Sequence, residues 1–213
     1  MPLDFALYLI TDRRQTPDGH LLPAVRRALE GGVRAVQLRE KDLPAAEFYP
    51  LAGELRSLTR EFGARLLIND RVDVALATGA DGVHLGGHSL PAADARRLLG
   101  PDKLIGVSTH RIEEIRTAEE NGADFVTFGP VWFTPSKAPF GNPVGLDRLR
   151  EACAASSLPV FALGGIKPER VAKALAAGAA GVALISAILA AVDPAAAANT
   201  FTALLQNPRH ENE

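Results

Sequence analysis

In 213 residues this sequence has one cysteine, one methionine, one tryptophan and two tyrosines, and aromatics make up only 6% of it. A single cysteine closes no internal disulfide, and no Cys/His cluster has ligand spacing. That excludes a disulfide-stapled secreted scaffold and a structural zinc module. No segment reaches the roughly 18 uninterrupted apolar residues of a membrane span, and Met1-Pro2-Leu3-Asp4 lacks the basic-then-apolar order of a secretory leader. A cytoplasmic protein without a membrane partner is therefore expected. An excess of one charge is missing too, since 23 Lys and Arg face 25 Asp and Glu for a net −2. No global basic field or set of stacking platforms invites nucleic acid. A local phosphate site stays open.

What the chain does have is short apolar runs, at residues 7–10, 35–38, 66–68, 82–85, 104–107, 125–128, 159–163 and 181–185, which predict about eight buried strands. Between them, apolar residues recur at helical spacing over 22–29, 45–62, 112–120, 146–154 and 171–177. Four segments share a helix end, a small-residue turn and an apolar strand, as in Ala75-Leu76-Ala77-Thr78-Gly79-Ala80-Asp81-Gly82-Val83 and Ala118-Glu119-Glu120-Asn121-Gly122-Ala123-Asp124-Phe125. Each Gly suits a left-handed helix C-cap. A repeated strand–helix unit with no linker or composition break predicts an α/β chain, a single (β/α)8 TIM-type barrel over residues 1–206, with a doubly wound open sheet as the other arrangement. The Ala-rich stretch 190–198 should form a helix that Asp193 could cap, and the polar tail 207–213 should fray.

A parallel barrel gathers its chemistry at the strand C-termini. Gln37, Arg39 and Lys41 alternate there, and a period of two puts them on one face, suited to a phosphate or diphosphate; a solvated loop with either cation paired to Glu40 or Asp42 reads equally well. Asn69-Asp70 precedes a helix start, so Asp70 is either an N-cap or a carboxylate ligand for Mg²⁺. Thr134, Ser136 and Lys137 lie in a proline-rich connection, residues 130–143, either an anion-binding lid or a rigid Ω-loop. Gly164-Gly165 and Ile185-Ser186 follow the last two strands, where barrels commonly seat a phosphate. His110, after Ser108-Thr109, could shuttle a proton or cap a helix. His84 reads as a hydrogen-bonded core residue and Cys153 as packing, while Asp12 either orients Arg39 or Lys41 or caps a turn.

Taken in order, Tyr8-Leu9-Ile10-Thr11-Asp12, Gln37-Leu38-Arg39-Glu40-Lys41, Asn69-Asp70-Arg71-Val72-Asp73, Gly82-Val83-His84-Leu85-Gly86, Gly106-Val107-Ser108, Gly129-Pro130-Val131, the 134–137 segment and Gly164-Gly165-Ile166 resemble the thiamine phosphate synthase family, which includes the thiazole tautomerases. The resemblance implies an enzyme of thiamine biosynthesis, a transferase that joins hydroxymethylpyrimidine diphosphate to hydroxyethylthiazole phosphate and releases diphosphate, with diphosphate leaving before the thiazole nitrogen attacks. It implies that Gln37, Arg39, Lys41, Asn69, Ser108 and Lys137 hold the pyrimidine diphosphate, that Asp70 binds Mg²⁺, and that Thr134, Ser136, Gly165, Ile185 and Ser186 hold the thiazole phosphate. Catalytic weight would fall on Arg39, Lys41, Lys137 and His110. One departure stands out: Gly87 and Ser89 occupy positions where synthases usually carry Gln and a second metal-binding Asp, which should weaken Mg²⁺ binding. Trp132-Phe133 also replaces the usual aromatic-Pro pair. The alternatives are a metal-free thiazole tautomerase with His110 as acid/base and a noncatalytic barrel that binds phosphorylated ligands. Small phosphorylated substrates are the expected partners, and a homo-oligomer is compatible with all three.

Overall fold

The computed structural model describes residues 3–134 and 142–207. Eight parallel strands close into a barrel in chain order: β1 (Leu7–Ile10), β2 (Ala35–Leu38), β3 (Arg65–Asn69), β4 (Gly82–Leu85), β5 (Leu104–Thr109), β6 (Phe125–Phe128), β7 (Val160–Leu163) and β8 (Gly181–Leu184). The ring shuts through the β1–β8 register, Leu7 opposite Val182 and Leu9 opposite Leu184. Around it lie α1 (Leu21–Glu30), α2 (Ala45–Glu61), α3 (Val72–Thr78), α4 (Ala92–Leu99), α5 (Ile112–Glu120), α6 (Gly145–Ala155), α7 (Pro168–Ala176), α8 (Ser186–Leu189) and α9 (Pro194–Gln206). The single-barrel reading holds, and the open sheet is excluded by the closure. Each expected strand is present to within two residues of its apolar run. The Ala-rich helix starts later than its composition suggests, because Ala190 already caps α8; Asp193 then caps α9, accepting from the amides of Ala195 and Ala196.

Strand alternation sorts the apolar residues into two populations. Residues such as Val36, Leu66, Val126 and Phe128 face outward into the layer between sheet and helices. Tyr8, Leu67, Phe125 and Phe161 face inward and fill the barrel with Phe5. Phe125 is central, with ring centroids 5.5 Å from both Tyr8 and Phe161 and edge-on to each. Such packing needs a gap beside it. A Cβ on Gly106 would come within 2.6 Å of His84 Nδ1 and 2.8 Å of Phe125 Cε1, so only glycine fits between those rings.

The turn glycines adopt the expected positive φ, at 103° for Gly32, 62° for Gly79, 79° for Gly122 and 97° for Gly178. The aspartates after two of these turns have a role that their spacing did not suggest. Asp81 accepts from the Leu66 amide at 2.7 Å and from the Arg56 guanidinium at 2.5 and 3.2 Å. Asp124 repeats the motif with the Ile105 amide and Arg96, both at 2.7 Å. Each carboxylate pins the start of its own strand to the preceding strand and to a helix, at the face opposite the strand C-termini. Because the Arg56–Asp81 pair is largely buried, Asp81→Ala should strand a guanidinium and an amide and cost about 3 kcal/mol, read as a lowered urea midpoint with an unchanged m-value.

Candidate active site

Above the aromatic layer the barrel interior turns polar. Gln37 Nε2 donates to the Tyr8 hydroxyl at 3.0 Å, the Tyr8 hydroxyl lies 3.3 Å from His84 Nδ1, and His84 Nε2 lies 3.0 Å from Ser108 Oγ. Proton bookkeeping assigns the direction. A phenol that accepts from Gln37 donates to Nδ1, which places the ring proton on Nε2, where it is donated to Ser108. The Ser108 hydroxyl hydrogen is then left for another acceptor. Burial keeps this chain neutral: His84 is 2% exposed, its pKa is pushed down to about 3, and the Tyr8 phenol is pushed up. Asp70 opposes the His84 shift and Arg39 reinforces it, so both charges lie within electrostatic reach of the ring. His84 is thus the hydrogen-bonded core residue expected of it. The link through Tyr8 was missed, and its one sequence signal is a hydroxyl inside an otherwise apolar strand.

The charged loop after β2 resolves in favour of unpaired cations. Arg13 takes both neighbouring acids. Its backbone amide and Nη1 each reach Glu40 at 3.1 Å, and its fork grips Asp42 with two bonds of 2.8 Å. Among the described residues Arg39 and Lys41 then have no ion-pair partner. The Arg39 amide is fixed by Thr11 Oγ1 at 2.8 Å. One expectation is corrected: β2 ends at Leu38, so Lys41 sits in an exposed turn and is not on a strand face shared with Gln37. Asp12 caps the turn after β1, accepting from the Arg14 amide at 3.2 Å, and orients neither cation.

Asp70 is not an N-cap. The N-cap of α3 is Arg71, and Asp70 holds φ +63°, making it the only non-glycine with positive φ among the described residues. Asp tolerates that conformation at a cost of about 1 kcal/mol, which marks the position as held for its side chain. Asn69 Nδ2 donates to one carboxylate oxygen at 2.6 Å, and the Ser89 hydroxyl donates to the other while accepting from the Gly86 amide. Ser89 therefore orients Asp70. Among the described residues no three His, Cys, Asp or Glu side chains converge as a metal cluster.

A cavity of roughly 300 Å³ opens at the strand C-termini, lined by His110, Thr134, Gly164, Gly165, Ile166, Ile185 and Ser186 among others, with Asp70, Asn69 and Arg39 outside its lining. His110 Nδ1 donates to the Gly129 carbonyl, which leaves Nε2 as the ring nitrogen outside that bond. The His110 side chain does not cap α5, whose N-cap is Arg111. Neither Gly165 nor Ile166 donates its amide to a backbone acceptor among the described residues, which leaves both for an anion. Ser136 and Lys137 lie outside the described residues. Burial pushes the Cys153 thiol up to about 11, in keeping with packing.

The buried His84 yields a pH prediction. Its folded pKa lies below the unfolded value near 6.5, so between about 6.5 and 3 the unfolded chain binds a proton that the native ring refuses. Stability is complete above that window and is lost as pH falls through it, by about 1.4 kcal/mol per unit. Between pH 7 and 5, urea unfolding should show wild type losing about 2 kcal/mol more than His84→Gln; equal losses would contradict a neutral buried ring.

A profile of the family described as thiamine monophosphate synthase matches residues 7–188. A putative thiamine-phosphate synthase of Geobacter sulfurreducens is 60% identical over 99% of both chains, and a thiamine-phosphate synthase of Moorella thermoacetica is 45% identical over 95% of this chain and 97% of its own. Among solved structures, thiamine phosphate pyrophosphorylase from Pyrococcus furiosus superimposes with a TM-score of 0.86 at 39% identity, covering 96% of each chain. With matches of that extent in both sequence and structure, the chain belongs to the thiamine monophosphate synthase family.

Proposed function

We propose that this protein is a thiamine-phosphate synthase that joins hydroxymethylpyrimidine diphosphate to hydroxyethylthiazole phosphate. The bond from the pyrimidine methylene carbon to diphosphate oxygen breaks, a bond from that carbon to the thiazole nitrogen forms, and diphosphate leaves with the electron pair. The observation that carries the reading is the pairing of Arg13 with Glu40 and Asp42, which among the described residues leaves Arg39, just past the end of β2, and Lys41, in the turn beyond it, without an ion-pair partner. Two cations without such a partner suit departing diphosphate, a polyanion whose developing charge they stabilise in place. Gln37, Asn69, Ser108 and Lys137 complete the diphosphate side. Thr134, Ser136, Gly165, Ile185 and Ser186 hold the thiazole phosphate, with His110 available to move a proton at Nε2. The synthase names of the relatives favour coupling over isomerisation.

Asp70 fits a Mg²⁺ ion that takes one carboxylate and completes its shell with water and diphosphate oxygens. When bound there, the metal would neutralise part of the leaving group's charge. Ser89 offers it little, since its hydroxyl already donates to Asp70 and accepts from Gly86.

Incubation with both substrates and Mg²⁺ should yield thiamine phosphate, and Arg39→Ala should lower kcat/KM for the pyrimidine diphosphate by about 10². Isomerisation of the nonaromatic thiazole tautomer without coupling would instead make this a tautomerase, and binding without turnover a noncatalytic barrel. Ser89→Asp sets a second carboxylate against Asp70, so Mg²⁺ should raise its melting temperature more than it raises that of wild type; an equal response would argue against metal at Asp70.

A further inference from the structure

Arg170, on the first turn of α7, stands apart from the ion pairs that occupy most other arginines of the chain. Half-buried, it has no carboxylate partner among the described residues. Its Nη1 donates to the Gly165 carbonyl at 2.5 Å, and its guanidinium carbon lies 5.5 Å from the centre of the Trp132 ring. One side chain therefore joins the loop after β7 to the loop after β6.

Those loops are already in close register. The amides of Val131 and Trp132 donate to the carbonyls of Leu163 and Gly164 at 2.8 and 3.1 Å. Gly165, at φ +64°, lies so near that a Cβ on it would come within 2.6 Å of the Phe133 carbonyl oxygen. Thr134 follows on one loop and Ile166 on the other, and both line the cavity. In a trans peptide the carbonyl of Gly165 and the amide of Ile166 point in opposite directions. Holding the carbonyl toward the α7 side therefore turns that amide away from it, and a cationic donor on the oxygen polarises the amide as a donor.

We infer that Arg170 is a positioning residue for the phosphate end of the thiazole substrate: it fixes the 165–166 peptide so that its amide meets the phosphate, and through Trp132 it holds the β6 loop that carries Thr134 against the same site. The inference rests on the proposed synthase reading for the identity of the ligand, but its geometry concerns any phosphate monoester bound in this cavity. Lysine could keep the carbonyl bond, but it lacks the planar face that stacks on the indole.

Trp132 is the only tryptophan of the chain, so tryptophan emission, excited where the two tyrosines do not absorb, reports on this site alone. Inorganic phosphate should change the wild-type emission saturably, and Arg170→Ala should shift that titration about tenfold to higher concentration, with Arg170→Lys between them. In the coupling assay Arg170→Ala should raise KM for the thiazole phosphate about tenfold while changing KM for the pyrimidine diphosphate less than twofold. Adding Trp132→Leu to Arg170→Ala should cost little more, because one strap is being cut twice. The inference is overturned if phosphate leaves the wild-type emission unchanged, if both KM values move together, or if only the melting temperature falls. Should wild type fail to couple, the synthase reading falls, and the phosphate titration still decides the role of Arg170.

Discussion

Closing eight parallel strands into a ring leaves an interior just wide enough for side chains to fill, and the position of the site follows from how that space is used. At one end Phe5, Tyr8, Phe125 and Phe161 pack edge to face, which is why Gly106 has to be small. One layer further up, the same ring of strands supplies Gln37, His84 and Ser108. Polar groups this deep must satisfy one another. The Tyr8 phenol bridges the two layers, with its ring in the aromatic packing and its hydroxyl in the hydrogen-bonded chain. Packing and polar organisation are thus parts of one arrangement, and the residues aimed at ligand inherit their orientation from it.

Charge is distributed by the same economy of partners. The strand starts hold Asp81 and Asp124 against arginines and backbone amides, so each of these acids is paired there. Beyond the strand ends, Arg13 removes Glu40 and Asp42 from contention and leaves Arg39 and Lys41 without an ion-pair partner among the described residues. Asp70 is held in a left-handed conformation between Asn69 and Ser89, directly after the end of β3. A near-neutral chain can therefore carry a locally cationic mouth, because neutrality is a property of the sum and binding is a property of the place.

The strands were legible because a two-sided buried strand must be a short continuous apolar run, and the turn glycines because few other residues tolerate positive φ after a helix. The candidate anion residues were legible from their place after those runs. The hydrogen-bond partners were not. His84 and Tyr8 are 76 positions apart and Arg13 and Glu40 are 27 apart, so nothing local in the sequence announces either contact. Asp70 stayed ambiguous for the opposite reason: its local context fits an N-cap as well as a metal ligand, and only the backbone shows that Arg71 holds the cap position. Lys41 was placed by extending a strand period past the point where the strand ends.

By itself, the sequence determined the eight strands, their order and the family resemblance, because apolar periodicity, turn residues and motif spacing are local properties written along the chain; the closure of the ring, which separates the barrel from an open sheet, belongs to the tertiary structure. Tertiary structure alone decided which charges cancel, which tautomer His84 adopts, how Ser89 serves Asp70 and which loops Arg170 ties together. Each of those depends on side chains meeting groups from other segments, at about 3 Å for the hydrogen bonds and 5.5 Å for Arg170 over the Trp132 ring, in the case of His84 where burial removes water as an alternative partner, and such contacts exist only once the ring has closed.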